Sequence, residues 1–228
     1  MIVAIDGPAG SGKSTVAQRL AARLGFEFLN TGAMYRAVAL RCVRESIDPD
    51  DLAAVATCAE ASVITFPENR PHLDGEDVTD ELRTEPVSAV ASRIALNPQV
   101  RTLLVDLQRA IADDRDVVTE GRDQGTIVFP HAEMKFFLTA SAETRAARRY
   151  GELAALEGHP PDDVTYASVL AQIRDRDARD RNRPLAPLKA AADAVVFDTS
   201  DLTVEQAVDQ MERIIIERRR AASAEADG

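Results

Sequence analysis

Gly7-Pro8-Ala9-Gly10-Ser11-Gly12-Lys13-Ser14, preceded by Ile2-Val3-Ala4-Ile5-Asp6 and followed by Thr15, decides how the chain folds. The first five residues form a short apolar run that Gly7 and Pro8 end, and Lys13 to Leu24 then carries Val16, Leu20 and Leu24 at helical spacing. Strand, glycine loop and helix follow one another, and the loop matches the pattern G-x-x-x-x-G-K-[ST]. Backbone N–H groups can surround a triphosphate only where side chains are absent, which explains the glycines, and the positive end of the following helix points at the same oxygens. Gly7 through Thr15 are therefore expected to cradle ATP or GTP, with Lys13 on the β- and γ-phosphates and the Ser14 hydroxyl on Mg2+. The motif predicts a bound nucleotide without saying what is done with it.

Outward from this loop, Phe26 to Leu29 reads as a second strand and Ala33 to Glu45 as a helix with Met34, Val38 and Val43 near one face. Val117-Val118-Thr119, Lys135 to Leu138 and Ala194 to Phe197 resemble buried parallel strands. Val100, Leu103, Leu104, Leu107 and Ile111 repeat as one face of a helix between them. The alternation predicts an α/β fold, a doubly wound parallel sheet of the P-loop type with helices on both faces. Two stretches break it. Val63 to Val78 alternates around Asp74-Gly75, a hairpin signal, and predicts a small antiparallel insertion outside the main sheet. Gly158 to Pro187 opens with Pro160-Pro161 and is dense in charge, which suggests a helical excursion able to move as a lid. Thr203 and Gln206 are placed to form a capping box for a last helix, and Glu217 to Gly228 is expected to fray.

Composition narrows the function. The 228 residues, 45% of them apolar, suffice for one substantial core. With 27 Lys+Arg against 38 Asp+Glu the net charge is -11, which disfavours a general binder of nucleic acid or of anionic membranes. No apolar run approaches the ~18 residues of a membrane span and Met1 leads straight into a strand, so a cytoplasmic protein is expected. Cys42 and Cys58 lack metal or redox spacing and read as buried small hydrophobes, while His72, His131 and His159 read as loop histidines. Nothing in the sequence demands an oligomer, and a monomer is expected.

Three further segments carry candidate chemistry. In Asn30-Thr31-Gly32-Ala33-Met34-Tyr35-Arg36, an arginine in the first turns of a helix could hold a phosphate bidentately with Tyr35 packed beside it, although packing plus a solvated charge is the commoner meaning of such a pair. Glu120-Gly121-Arg122-Asp123 follows a strand at the carboxyl end where α/β sheets bind ligands, or it is a plain strand-terminating turn. From Arg174 to Pro184 acids and bases nearly cancel, as on a solvated helix laced with ion pairs, yet the five arginines from Arg174 to Arg183 suit closure over phosphates.

Taken together, Asp6-Gly7-Pro8 ahead of the loop, Thr31 to Arg36, Gly121-Arg122-Asp123 with Gly125-Thr126, and Arg176 to Arg183 continued by Ala186-Pro187-Leu188 resemble the bacterial cytidylate kinases, among the nucleoside monophosphate kinases. The resemblance runs from Ile2 to about Arg213. It implies transfer of the ATP γ-phosphate, with Mg2+, to CMP or dCMP, and no nucleic-acid or membrane partner. It also implies an ATP-binding core over 1–30, 96–146 and 185–228, an acceptor-binding insertion over 31–95 and a lid over 147–184. Carried over, it gives the acceptor phosphate to Arg36, Arg122 and Arg183, cytosine to Ser92, Arg101 and Asp123, and the acceptor sugar to Arg176 and Asp180. Thr31 and Tyr35 join the acceptor side, and Lys13, Arg122 and Arg183 are the catalytic charges. Glu120 stands where the family often has Asp, and its longer carboxylate could help order Mg2+ through water. Gln124 occupies a position where an apolar residue is expected. A P-loop kinase for shikimate or another nucleotide would share the donor loop, and a P-loop switch would share it without needing a second phosphate site.

Overall fold

Ile2–Asp6 forms β1 and is followed by α1 (Lys13–Leu24), β2 (Glu27–Asn30), α2 (Thr31–Arg44), α3 (Leu52–Ala61), β3 (Ile64–Thr65), β4 (His72–Leu73) and β5 (Glu76–Asp77). Then come α4 (Glu85–Ile94), α5 (Pro98–Ala112), β6 (Val117–Gly121), β7 (Met134–Thr139), α6 (Ala142–Glu157), α7 (Tyr166–Asn182), β8 (Val195–Asp198) and α8 (Val204–Ala226). The computed structural model describes residues 1–157 and 164–226. His159 and Pro160-Pro161 lie outside the described residues.

The main sheet has the order β2-β6-β1-β7-β8. β1 pairs in parallel with β6 (Ile2 opposite Val117) and with β7 (Val3 opposite Met134), and β7 pairs in parallel with β8. β6 is buried along its whole length and β1 in all but its first residue, which is why both read as unbroken apolar runs. Helices flank this sheet. Val16, Ala17 and Leu20 of α1 and Ala207, Val208, Met211 and Ile215 of α8 pack with Val3, Ile5, Phe136 and Leu138 into one core. The sheet thereby holds the carboxyl ends of β1 and β6 side by side, Asp6 opposite Gly121.

The Val63–Val78 insertion forms as expected. β3, β4 and β5 make a separate antiparallel sheet, and Leu73 faces Glu76 across Asp74-Gly75, whose φ of 52° and 87° are those of a primed hairpin turn. The capping box at the start of α8 is also present, with Thr203 N donating to Gln206 Oε1 at 2.9 Å and Gln206 N to Thr203 Oγ1 at 3.2 Å.

Three expectations need correction. Val43 does not share the face of Met34 and Val38: it is 38% exposed, and Cys42 is buried instead, because i, i+4, i+8 keeps to one side of a helix while a fifth step swings away. The thiols of Cys42 and Cys58, both buried as expected, lie 3.5 Å apart. Glu217 to Ala226 does not lose its helix, since α8 continues to Ala226 on a run of Glu, Arg and Ala, all strong helix formers. Finally, where composition suggested a single core, the backbone groups into two compact units, Met1–Phe28 with Arg115–Gly228, and Leu29–Asp114. α5 goes with the second unit because it packs on α2 and α3, Asn97 Nδ2 donating to the Leu52 carbonyl at 2.9 Å.

Candidate active site

In the first unit the phosphate loop joins β1 to α1. Gly7 has φ 151°, and a Cβ there would stand 2.0 Å from the Leu138 carbonyl oxygen, so no side chain fits. Ser11 Oγ donates to the Pro8 carbonyl at 3.0 Å, and Lys13 Nζ donates to the same carbonyl at 2.7 Å. Lys13 is 4% exposed. Burial, followed by the positive charge of Arg122 and then of Arg176, pushes its ammonium down to about 7, with Glu120 acting in the opposite direction. The loop lysine, Arg122 and Arg176 therefore share one electrostatic environment. Cations that act on one another in this way suit a polyanion.

The acidic side of the site stands at the ends of β1 and β6. Ser14 Oγ donates to Glu120 Oε1 at 3.0 Å. Asp6 accepts the backbone N–H of Gln124 and of Gly125, each at 2.8 Å. Burial raises its carboxyl to about 6 despite these two hydrogen bonds, and Asp123 adds repulsion. Gln124, out of place in an apolar position, has a partner there: buried Thr119 Oγ1 donates to its Oε1 at 2.8 Å. It begins a one-turn π-helix, Gln124–Val128, that carries the chain away from β6. Asp123 is buried just before that turn. Among the described residues no cluster of three or more His, Cys, Asp or Glu could hold a metal alone. One hydroxyl and one carboxylate, Ser14 and Glu120, do fit Mg2+ arriving with a triphosphate, since that ion keeps most of its waters and phosphate oxygens.

Arg122 Nε donates to Asp180 Oδ2 at 3.1 Å, and Arg183 Nε donates to the Ala186 carbonyl. Thus Arg122, Arg176, Asp180 and Arg183 belong to the same unit as the phosphate loop, with Asp180 meeting an arginine expected on the phosphate.

Thr31, Tyr35, Arg36, Ser92 and Arg101 lie in the second unit. Asn30 caps α2 by accepting Ala33 N at 3.0 Å, and Thr31 opens the helix, buried. The Arg36 guanidinium folds back over that first turn: a Cβ on Gly32 would stand 3.1 Å from its Nη1. Asn97 caps α5, and Arg101, 6% exposed, sits in its first turns with Nη1 3.5 Å from the Tyr35 hydroxyl. Ser92 is half-buried on α4. The two helix starts thus gather Thr31, Tyr35, Arg36 and Arg101.

Sequence reading missed several residues around the loop. Asp6 was seen only as part of a motif, although an acid at the carboxyl end of a buried strand is itself a signal. Arg148 donates to the Thr199 carbonyl at 2.6 Å, and Thr199 Oγ1 stands 3.3 Å from the Ser11 carbonyl. Arg145 pairs with Asp177 across two helices. No local pattern marks these last contacts, which join segments far apart in the chain.

The family model for cytidylate kinase matches residues 3–217. The chain is 49% identical over 210 residues to a cytidylate kinase of Burkholderia pseudomallei (strain K96243), covering 92% of this chain and 90% of that one. It is 46% identical to a cytidylate kinase of Caldanaerobacter subterraneus subsp. tengcongensis, covering 92% of each, and 44% identical to one of Nocardia farcinica, covering 99% of this chain and 97% of that one. Among solved structures, a shikimate kinase from Bacteroides thetaiotaomicron superposes with a TM-score of 0.51 at 12% identity, covering 94% of this chain and 98% of that one, a likeness of fold alone.

Proposed function

The chain belongs to the cytidylate kinase family, and from that premise we infer that it transfers the γ-phosphate of ATP to CMP or dCMP, giving CDP or dCDP. The observation that carries the mechanism is that Arg122, Arg176, Asp180 and Arg183 share one compact unit with the phosphate loop, Arg122 donating to Asp180 at 3.1 Å and lying, like Arg176, near enough to Lys13 to push its ammonium down. Gly7 through Thr15 hold the donor phosphates. Arg36, Arg122 and Arg183 are assigned to the acceptor phosphate, Arg176 and Asp180 to the acceptor sugar, and Ser92, Arg101 and Asp123 to the cytosine, with Thr31 and Tyr35 also assigned to the acceptor. Ser14, and Glu120 by way of water, would hold Mg2+, which when bound would supply charge neutralisation on the donor phosphates. The acceptor is a phosphate already ionised at neutral pH, so no general base is needed. The chain's own contribution is alignment and positive charge around the transferring group, where Lys13, Arg122 and Arg183 act as charge develops. Residues 31–95 serve as the acceptor-binding insertion, 147–184 as the lid, and 1–30, 96–146 and 185–228 as the donor core. No helix among the described residues is long and apolar enough to cross a membrane.

The reaction is tested by coupling ADP formation to an optical signal. ADP should form from Mg·ATP only when CMP or dCMP is present, whereas a P-loop switch would give the same slow release with or without acceptor.

Two consequences can be measured on the same protein. Because Lys13 titrates near 7, an adjacent triphosphate must raise it, and Mg·ATP binding should take up a proton wherever the free amine is partly neutral and the bound one charged. The uptake is largest above the free value, at about pH 8, and vanishes well below it, where the amine is charged in both states. Calorimetry in two buffers of different ionisation enthalpy should show it, and Lys13→Met should abolish it; equal heats in both buffers would contradict this electrostatic reading. The lid assignment predicts that a bisubstrate analogue joining adenosine to cytidine through a phosphate chain will slow amide exchange over 176–183. Unchanged protection there would count against a lid.

A further inference from the structure

The mechanism leaves one buried charged pair unused. Arg145, in the first turn of α6, and Asp177, in the middle of α7, form a bidentate ion pair: Nη1 to Oδ1 at 3.0 Å and Nη2 to Oδ2 at 2.6 Å. The two side chains are 3% and 6% exposed. The same guanidinium donates from Nε to the Ala140 carbonyl at 3.0 Å and from Nη1 to the Ala9 carbonyl, inside the phosphate loop, at 3.1 Å. Gly10 packs against the aliphatic base of the same side chain, since a Cβ on Gly10 would stand 3.3 Å from the Arg145 Cβ. One planar fork therefore joins the end of β7, the phosphate loop and α7. Asp177 follows Arg176 immediately and precedes Asp180 by three residues, so whatever fixes Asp177 fixes the turn that carries both.

We propose that Arg145 and Asp177 are a positioning pair for the transfer reaction, holding the turn of α7 that bears Arg176 and Asp180 at a set distance from the phosphate loop. The proposal rests on the donor and acceptor roles inferred above for the loop and for those two residues. Holding α6 against α7 does not require this pair. Ala146, Val169 and Ile173 already form a buried apolar cluster between the helices, joined by Tyr150, Leu153 and Leu170. A buried ion pair adds little to stability over apolar residues of the same size. What an apolar pair cannot supply is direction: the fork fixes two carboxylate oxygens and one loop carbonyl in a single plane. Displacing a reacting group by about 1 Å lowers rates by roughly a hundredfold.

A purely structural role and a positioning role part company in a mutant cycle. Asp177→Asn, nearly isosteric, and Arg145→Lys, which keeps charge but lacks the fork, should each lower kcat by about tenfold or more, with KM for ATP and CMP changed by no more than about threefold. The double variant Arg145→Met/Asp177→Leu should recover thermal stability close to that of the unaltered protein, or exceed it, without recovering kcat. Glu143→Gln, which removes an exposed pair with Arg174 between the same two helices, should change kcat by less than about twofold. Measurable phosphorylation of CMP by the unaltered enzyme establishes the reaction independently, so failure of the proposed reaction and failure of the positioning pair are distinct results. The proposal is overturned if kcat returns with stability in the double variant, or if folded Asp177→Asn turns over at the normal rate. Should the double variant fail to fold, Asp177→Asn measured well below its melting temperature decides the matter alone.

Discussion

Replacing Lys13 by alanine should lower kcat by about a hundredfold or more, the scale on which single charge-stabilising donors act in transition states, while the protein stays folded. Negative charge moves toward the β–γ bridge as the phosphoryl group leaves ADP, so an ammonium at that position binds the transition state more tightly than the ground state. The folded protein, by contrast, gains little from this charge. Its ammonium is buried, pushed down to about 7 and satisfied in the structure by the Pro8 carbonyl. Removing a desolvated cation relieves repulsion with Arg122 and Arg176 even as it loses one hydrogen bond. A near-normal turnover in the purified, folded variant would show that Gly7 to Thr15 is not the donor site.

Asp123→Ala should strike specificity rather than turnover in general. Cytosine presents an amino donor at N4 where uracil presents a carbonyl acceptor, so a buried carboxylate pairs with the first and repels the second. Asp123 is buried and placed just beyond β6 by the Gln124–Val128 turn, whose amides are in turn held by Asp6. Its loss should raise KM for CMP and shrink the preference for CMP over UMP by about 10- to 100-fold, the equivalent of roughly 1–3 kcal/mol for one base-edge contact. On the proposed assignment Arg101 and Ser92 would supply the complementary contacts and leave a residual preference. The competing role, service to Mg2+ near the γ-phosphate, predicts something else: an equal fall in kcat for every acceptor and a higher Mg2+ requirement. Initial rates at varied CMP, UMP and Mg2+ separate the two.

The sequence made legible those parts of the molecule whose physics is local. The P-loop spacing, the helical repeat at Val16 and Leu20, the buried strands at Val117 and Lys135, and the Asp74-Gly75 turn each depend on a few neighbouring residues, and all appear where expected. The family resemblance supplied the candidate site residues, because four ordered motifs carry more information than any one of them. Contacts between distant segments were not legible. Nothing near Gln124 announces that buried Thr119 will donate to it. Nothing near Arg145 reveals an acid thirty-two residues on, or a loop carbonyl near the amino terminus. The Val43 error has the opposite origin, a local pattern read one residue out of phase, which on a helix is enough to turn a side chain from core to solvent. The period of α5 marks the helix but not the neighbours, α2 and α3, on which it packs. Periodicity shows which face is apolar and says nothing of what covers it.

A kinase for cytosine nucleotides must rank its acceptors, and kcat/KM with Mg·ATP across CMP, dCMP, UMP, AMP and GMP, with shikimate as a non-nucleotide control, measures that ranking. CMP and dCMP should be phosphorylated far better than UMP, and the purine monophosphates and shikimate hardly at all. Comparable rates with UMP would contradict the base-reading site, and a preference for any acceptor other than a cytidine monophosphate would contradict the account as a whole.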